Sequence, residues 1–101
     1  MNKEELIAKI FKALGHPIRY KIIMFLFEGR KCVCEMNDNV EFSQANLSQH
    51  LKILKDAGLV SSEKEGLKIF YSLRNDEVKK LVQAANDFLL NYIKAMGENI
   101  L

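Results

Sequence analysis

Two groups of residues in this 101-residue chain have the types and spacing for chemistry. The first is Cys32 and Cys34, the chain's two cysteines, one residue apart in Cys-Val-Cys-Glu-Met. They are too few and too close for a disulfide scaffold, so in a reducing cytosol they are thiols with a chemical task or small buried hydrophobes. The second is the run from Ser43 to Gly58. Wound at about 100° per residue, Leu47, Leu51 and Leu54 share a narrow arc while Gln44, Ala45, Ser48, Gln49 and Lys52 spread over the opposite face. An ordinary solvated face would be filled with Lys and Glu. This one offers short and medium hydrogen-bonding side chains that can reach base edges without blocking close approach. Ser43 is the expected N-cap of this helix and Ala57-Gly58 its end. His50, at the edge of the leucine stripe, is either a boundary histidine bonded to backbone or a phosphate contact. The chain carries no pair of carboxylates framing a cleft, no nucleophile elbow and no glycine-rich phosphate loop, so it is not read as an enzyme.

Several elements must position these groups. Leu6, Ile7, Ile10, Phe11 and Leu14 give residues 3–14 the three-and-four spacing of an amphipathic helix that Gly15 ends. His16-Pro17 starts a second helix, apolar almost all round from Ile18 to Phe27 and therefore expected to be central and buried. Residues 32–40 predict a short, weak helix, because Asn37, Asp38 and Asn39 are poor helix formers. A connection through Glu41-Phe42 then completes a helix, turn and helix. After Gly58 the period changes to two: Leu59–Lys64 and Leu67–Leu73 read as a β-hairpin around Glu65-Gly66, with Leu67, Ile69, Tyr71 and Leu73 on one face and Lys64 and Lys68 near its tip. From Asp76 onward an apolar stripe runs from Val78 to Met96. A helix of about twenty residues spans about 30 Å, longer than so small a core can cover, so the terminal helices are expected to pair across a two-fold axis.

The totals fit one small folded domain: 49% hydrophobic residues, 28% charged and a single proline. The net charge of +2 is unevenly placed, with +4 over residues 1–31, −3 over 32–42, +2 over 43–74 and −1 over 75–101. With no apolar run near about eighteen residues and no signal peptide, a cytoplasmic location without membrane contact is the default expectation.

Taken together, Ala13-Leu-Gly-His-Pro-Ile-Arg-Tyr-Lys-Ile-Ile, Cys32-Val-Cys-Glu-Met, Ser43-Gln-Ala-Asn-Leu-Ser-Gln-His-Leu-Lys-Ile-Leu-Lys-Asp-Ala-Gly-Leu-Val and Lys64-Glu-Gly-Leu-Lys-Ile-Phe-Tyr-Ser-Leu resemble the ArsR/SmtB family of metal-responsive repressors over nearly the whole chain. The resemblance implies a mainly α fold with a small β-hairpin wing, a winged helix-turn-helix. Residues 1–14 and 75–98 would be dimerisation helices, 32–58 the helix-turn-helix and 59–74 the wing, all in one domain spanning 1–101. It implies a homodimer on double-stranded operator DNA, needing no cofactor to bind. Gln44, Ala45, Ser48 and Gln49 would face the major groove, with His50, Lys52, Lys64 and Lys68 positioning the backbone. Leu6, Ile10, Leu81, Phe88, Leu89 and Tyr92 would form the dimer interface.

Within that family Cys32-Val33-Cys34-Glu35-Met36 looks like a soft-metal site, so the implied effector is As(III) or Sb(III), or another thiophilic ion such as cadmium or lead. The chain departs from the pattern in having Asn37 where a third cysteine is often found, so two protein sulfurs would need an exogenous thiol or hydroxide. Residues 75–101 contain no histidine, which argues against the family's other site on the terminal helices. On an intact helix residues two apart point about 200° away from each other. Gripping one ion would therefore unwind residues 32–34, and binding and helix integrity would compete. Arg30 and Lys31 are expected to favour the thiolate form. Thiol oxidation or persulfide sensing, inert packing of the thiols, and a winged-helix protein-interaction module without metal response are the alternatives. A disulfide across one residue is strained, which places oxidation second.

Overall fold

The computed structural model describes residues 1–42 and 45–97. Its elements are α1 (Lys3–Leu14), α2 (Pro17–Leu26), β1 (Lys31–Cys32), α3 (Val33–Asp38), a single 3-10 turn (Val40–Phe42), α4 (Leu47–Asp56), β2 (Val60–Glu65), β3 (Lys68–Leu73) and α5 (Asp76–Ala95). This is the winged helix-turn-helix order, mainly helical with one small sheet.

Each helix starts where a side chain can satisfy its first backbone N–H groups. Asn2 accepts from the Glu5 amide at 2.8 Å, and His16 Nδ1 accepts from the Ile18 amide at 3.1 Å, with Pro17 in the first turn. Asn75 accepts from the Glu77 amide at 3.0 Å to open α5. Ser43, the expected cap of the helix that carries the polar face, lies outside the described residues, and the helix itself begins later than its periodicity suggests. Asn46 is the cap of α4, accepting from the Gln49 amide at 3.4 Å while its own Nδ2 donates to Gln49 Oε1 at 3.2 Å.

The core is one cluster. Ile22, Ile23 and Leu26 of α2 meet Met36 of α3, Phe42, the α4 stripe Leu47, Leu51 and Leu54, then Leu59 and Val60, and Val78 and Val82 of α5. The leucine stripe read from the sequence is thus the buried face of α4. The second helix is less enclosed than its composition suggests, because Tyr20 and Met24, one turn apart, stay exposed.

The sheet has the order β1-β3-β2, all antiparallel. The hairpin closes through Gly66 and Leu67, with Gly66 at φ 62°, a conformation that costs glycine nothing. Its two strands pair from Val60 with Leu73 out to Glu65 with Lys68. Only the inner end is covered: Tyr71 and Leu73 pack against the core, whereas Ile69 is half exposed and Leu67 wholly so. The third strand is new. Lys31 and Cys32 pair with Tyr71 and Phe70, so the chain entering α3 is stitched to the wing.

The protomer measures 51 × 37 × 23 Å with a radius of gyration of 15.0 Å, above the about 13 Å of a compact domain this long. The excess lies in α5, of whose residues only Val78 and Val82 are buried. Phe88, Leu89, Leu90 and Tyr92 are exposed, as are Leu6, Ile7 and Phe11 of α1. Among the residues expected at a dimer interface, Ile10 and Leu81 instead lean on their own core. No helix among the described residues is long and apolar enough to cross a membrane.

Candidate nucleic-acid interface and thiol site

The polar face of α4 is built as a surface. Ser48, Gln49 and Lys52 are exposed, opposite the buried leucines. Ala45 stands in the turn before the helix, half-buried against the core, so it does not share their face. Gln44 lies outside the described residues. Gln49 is engaged with Asn46 as above, and Lys52 pairs with Asp56 one turn on at 2.8 Å. That hydrogen bond holds the Asp56 carboxyl below its ordinary range and the Lys52 ammonium above its own. Lys55 Nζ donates to Ser62 Oγ at 2.7 Å and fastens α4 to the first wing strand. Lys64 and Lys68 are exposed near the wing tip, and no ion pair among the described residues engages either.

His50 is turned the other way. Its Nδ1 lies 3.2 Å from Arg19 Nη1, and its ring is 4.6 Å from that of His16. Arg19 is 9% exposed and holds the end of α1 as well, donating to Ala13 O at 2.6 Å and Lys12 O at 3.2 Å. In the sequence Arg19 stands out only as part of a family-like run. Its spacing of three, four and seven to Ile22, Ile23 and Leu26, which puts a charge on the apolar face of a buried helix, is the signal that could have singled it out.

The thiols are arranged differently from the expectation. Cys32 is not inside α3 but is its N-cap, in an extended conformation at φ −71° and ψ 146°, and Cys34 sits in the first turn. This change of direction brings the two side chains together with the helix intact, and their sulfurs are joined as a disulfide with the α-carbons 5.1 Å apart. Bringing both sulfurs to one place therefore does not require residues 32–34 to unwind. The two side chains diverge only where both residues are helical, and Cys32 is not.

Cys32 is buried at 3% exposure and Cys34 is exposed. The Cys32 sulfur accepts from the Cys34 amide at 3.1 Å, and Glu35 Oε1 accepts from the Cys32 amide at 2.9 Å, a capping box with sulfur in the place of the usual hydroxyl. The neighbouring cations are already occupied. Arg30 donates to both carboxylate oxygens of Glu65, at 2.7 and 3.0 Å, approaches Glu63 at 3.7 Å and lies 3.9 Å over the Phe70 ring. Those bonds hold the Glu65 carboxyl below its ordinary range. Lys31 pairs with Glu28 at 3.2 Å. Their charge is thus compensated by carboxylates and is not reserved for the thiols. Among the described residues no group of three or more His, Cys, Asp and Glu could hold a metal ion.

The family described as "Bacterial regulatory protein, arsR family" matches residues 16–62, from the cap of α2 into the wing. An uncharacterized HTH-type transcriptional regulator of Methanocaldococcus jannaschii is 42% identical over 86% of this chain and 99% of its own length. The chain belongs to the ArsR family. A further relative, the arsenical resistance operon repressor of Bacillus subtilis, is 40% identical over 80% of this chain and 81% of its own. The crystal structure of the transcriptional repressor BigR from Xylella fastidiosa has a TM-score of 0.70 at 30% identity, covering 87% of this chain and 96% of that one. As an ArsR-family protein the chain is a DNA-binding transcriptional regulator and not an enzyme.

Proposed function

We propose that this ArsR-family protein is a homodimeric repressor whose grip on operator DNA is set by the state of Cys32 and Cys34. In the reduced form the effector is a thiophilic metalloid or metal, As(III) or Sb(III) foremost. Ser48 and Gln49 of α4 address base edges, with Gln44 expected beside them. Lys52, Lys64 and Lys68 contact phosphates, whereas His50, turned into the α1–α2 corner against Arg19 and His16, is not among them. Paired α1 and α5 helices set two recognition helices one DNA turn apart.

The observation that carries this reading is the convergence of the two sulfurs at the cap of α3. A dithiol supplies two soft ligands at one point, and a hydroxide or small thiol completes three-coordinate As(III). An ion on Cys32 would sit on the same sulfur that accepts from the Cys34 amide, so its binding bears directly on the cap. The backbone of Cys32 is also paired with Phe70 of the wing, so the disturbance reaches both the turn before α4 and the hairpin. Oxidation is the second reading, favoured by the disulfide itself: removing two electrons and two protons from the dithiol gives the bonded pair without a metal.

The test uses the reduced full chain and a labelled duplex selected for binding from a random pool. Fluorescence anisotropy is read in rising salt and then with arsenite, Cd²⁺ or a persulfide donor. The reading expects a steep negative salt slope and release by arsenite near one equivalent per protomer. A flat salt response would remove DNA as the target, and release by the persulfide donor alone would transfer the role to redox sensing.

A further inference from the structure

The corner where α1, α2 and α4 meet holds a group of polar residues that the thiol mechanism does not use: His16, Arg19 and His50. A guanidinium has donors and no acceptor. The 3.2 Å approach of Arg19 Nη1 to His50 Nδ1 is therefore a hydrogen bond only while Nδ1 carries no proton. The neutral ring then bears its proton on Nε2 and not on the nitrogen that faces Arg19. Arg19 is itself anchored, through Nε to Ala13 O and Nη2 to Lys12 O at the end of α1. One side chain thus ties the recognition helix to the two helices behind it.

We propose that Arg19 is a positioning residue for DNA binding: through His50 it latches α4 onto the α1–α2 corner, and the latch holds only while that imidazole is neutral. The proposal rests on the reading of α4 as the DNA-contacting helix.

The surroundings favour the closed latch. Burial, then the charges of His16 and Arg19, holds the His50 imidazole below the ordinary histidine value of 6.5. Lys9 and Lys12 of α1 and Asp56 of α4 line the same corner beside Arg19. A depressed value in the folded state means that the neutral form stabilises the fold. That contribution is complete above 6.5 and is lost as pH falls through the lower folded value. Protonation places an N–H against the guanidinium and two positive charges within hydrogen-bond distance.

This predicts a sign opposite to simple electrostatics. A histidine that only faced phosphate would bind DNA more tightly when protonated. A latch loses DNA affinity instead. The probe is a labelled duplex selected from a random pool at pH 7.5, and affinity is measured by anisotropy from pH 7.5 to 5.5 at constant ionic strength. Far-ultraviolet circular dichroism at each pH confirms that the chain stays folded. Wild type is expected to lose about tenfold in affinity over that range, corresponding to about 1.4 kcal/mol. His50→Gln, whatever its affinity at pH 7.5, is expected to give a flat profile. Arg19→Lys keeps the charge but not the fork, and should bind more weakly at pH 7.5 with a shallower pH dependence. If Arg19→Lys does not fold, His50→Gln decides alone. A wild-type affinity that is constant or rises on acidification overturns the latch, as does an undiminished fall in His50→Gln. Failure to recover any duplex at pH 7.5 overturns the DNA-binding reading and the latch with it, whereas a bound duplex with a flat profile overturns the latch alone.

Discussion

Cys32 performs two tasks that separate by substitution. Its sulfur caps α3, and it is joined to the sulfur of Cys34. Serine is a strong cap residue, so Cys32→Ser should retain stability to within about 0.5 kcal/mol while removing the pair. Cys32→Ala should cost about 1 kcal/mol through the lost cap. Urea denaturation of the reduced proteins compares the two; equal losses in both would show that the sulfur is not serving as a cap. Misplacing this residue was avoidable in one respect. Glu35 stands three residues after Cys32, and Gln49 three after Asn46, the spacing of reciprocal capping. Ser43 has Asn46 at that place and no such partner. Apolar periodicity fixes the buried face of a helix but leaves its first turn open, and the side chain that can reach back closes the question.

At the scale of elements, α4 depends on its leucines for attachment and on Asn46 for its start. Leu54 is fully buried in the common core, so Leu54→Ala is expected to cost about 2–5 kcal/mol, and Asn46→Ala about 1 kcal/mol, both read by chemical denaturation. An Asn46→Ala variant as stable as wild type would move the cap elsewhere. The helices and the hairpin were legible because their periods of 3.6 and 2 run long enough to be counted. Strand β1 was not, since Lys31 and Cys32 are two residues and carry no period. Its existence follows from tertiary pairing with Tyr71 and Phe70, and it joins the backbone of Cys32 to the wing. The wing's expected apolar face likewise failed at its tip. Alternation places Leu67 and Ile69 on that face, but the hairpin extends beyond the core there and leaves Ile69 half exposed and Leu67 wholly so.

At the scale of the molecule, the apolar stripe along α5 and the outer face of α1 are open in a single chain. Phe88 at 74% and Tyr92 at 56% exposure are the largest side chains left uncovered along α5. A Phe88→Asp, Tyr92→Asp double variant should sediment as a monomer. It should also bind a two-half-site duplex about a hundredfold more weakly or worse, because two linked contacts become one. A variant that remains dimeric in analytical ultracentrifugation would place the interface elsewhere. The sequence indicated that these helices exceed the core, while Ile10 and Leu81 show that periodicity alone cannot divide a stripe between the chain's own core and a second copy.

The thiol pair's control of DNA binding is tested most directly by arsenite added to the reduced protein bound to its selected duplex, beside the Cys32→Ser, Cys34→Ser double variant under the same conditions. Wild type is expected to release the duplex as arsenite approaches one equivalent per protomer, while the double variant binds the duplex and holds it throughout. Release from the double variant at the same arsenite concentration would contradict the account.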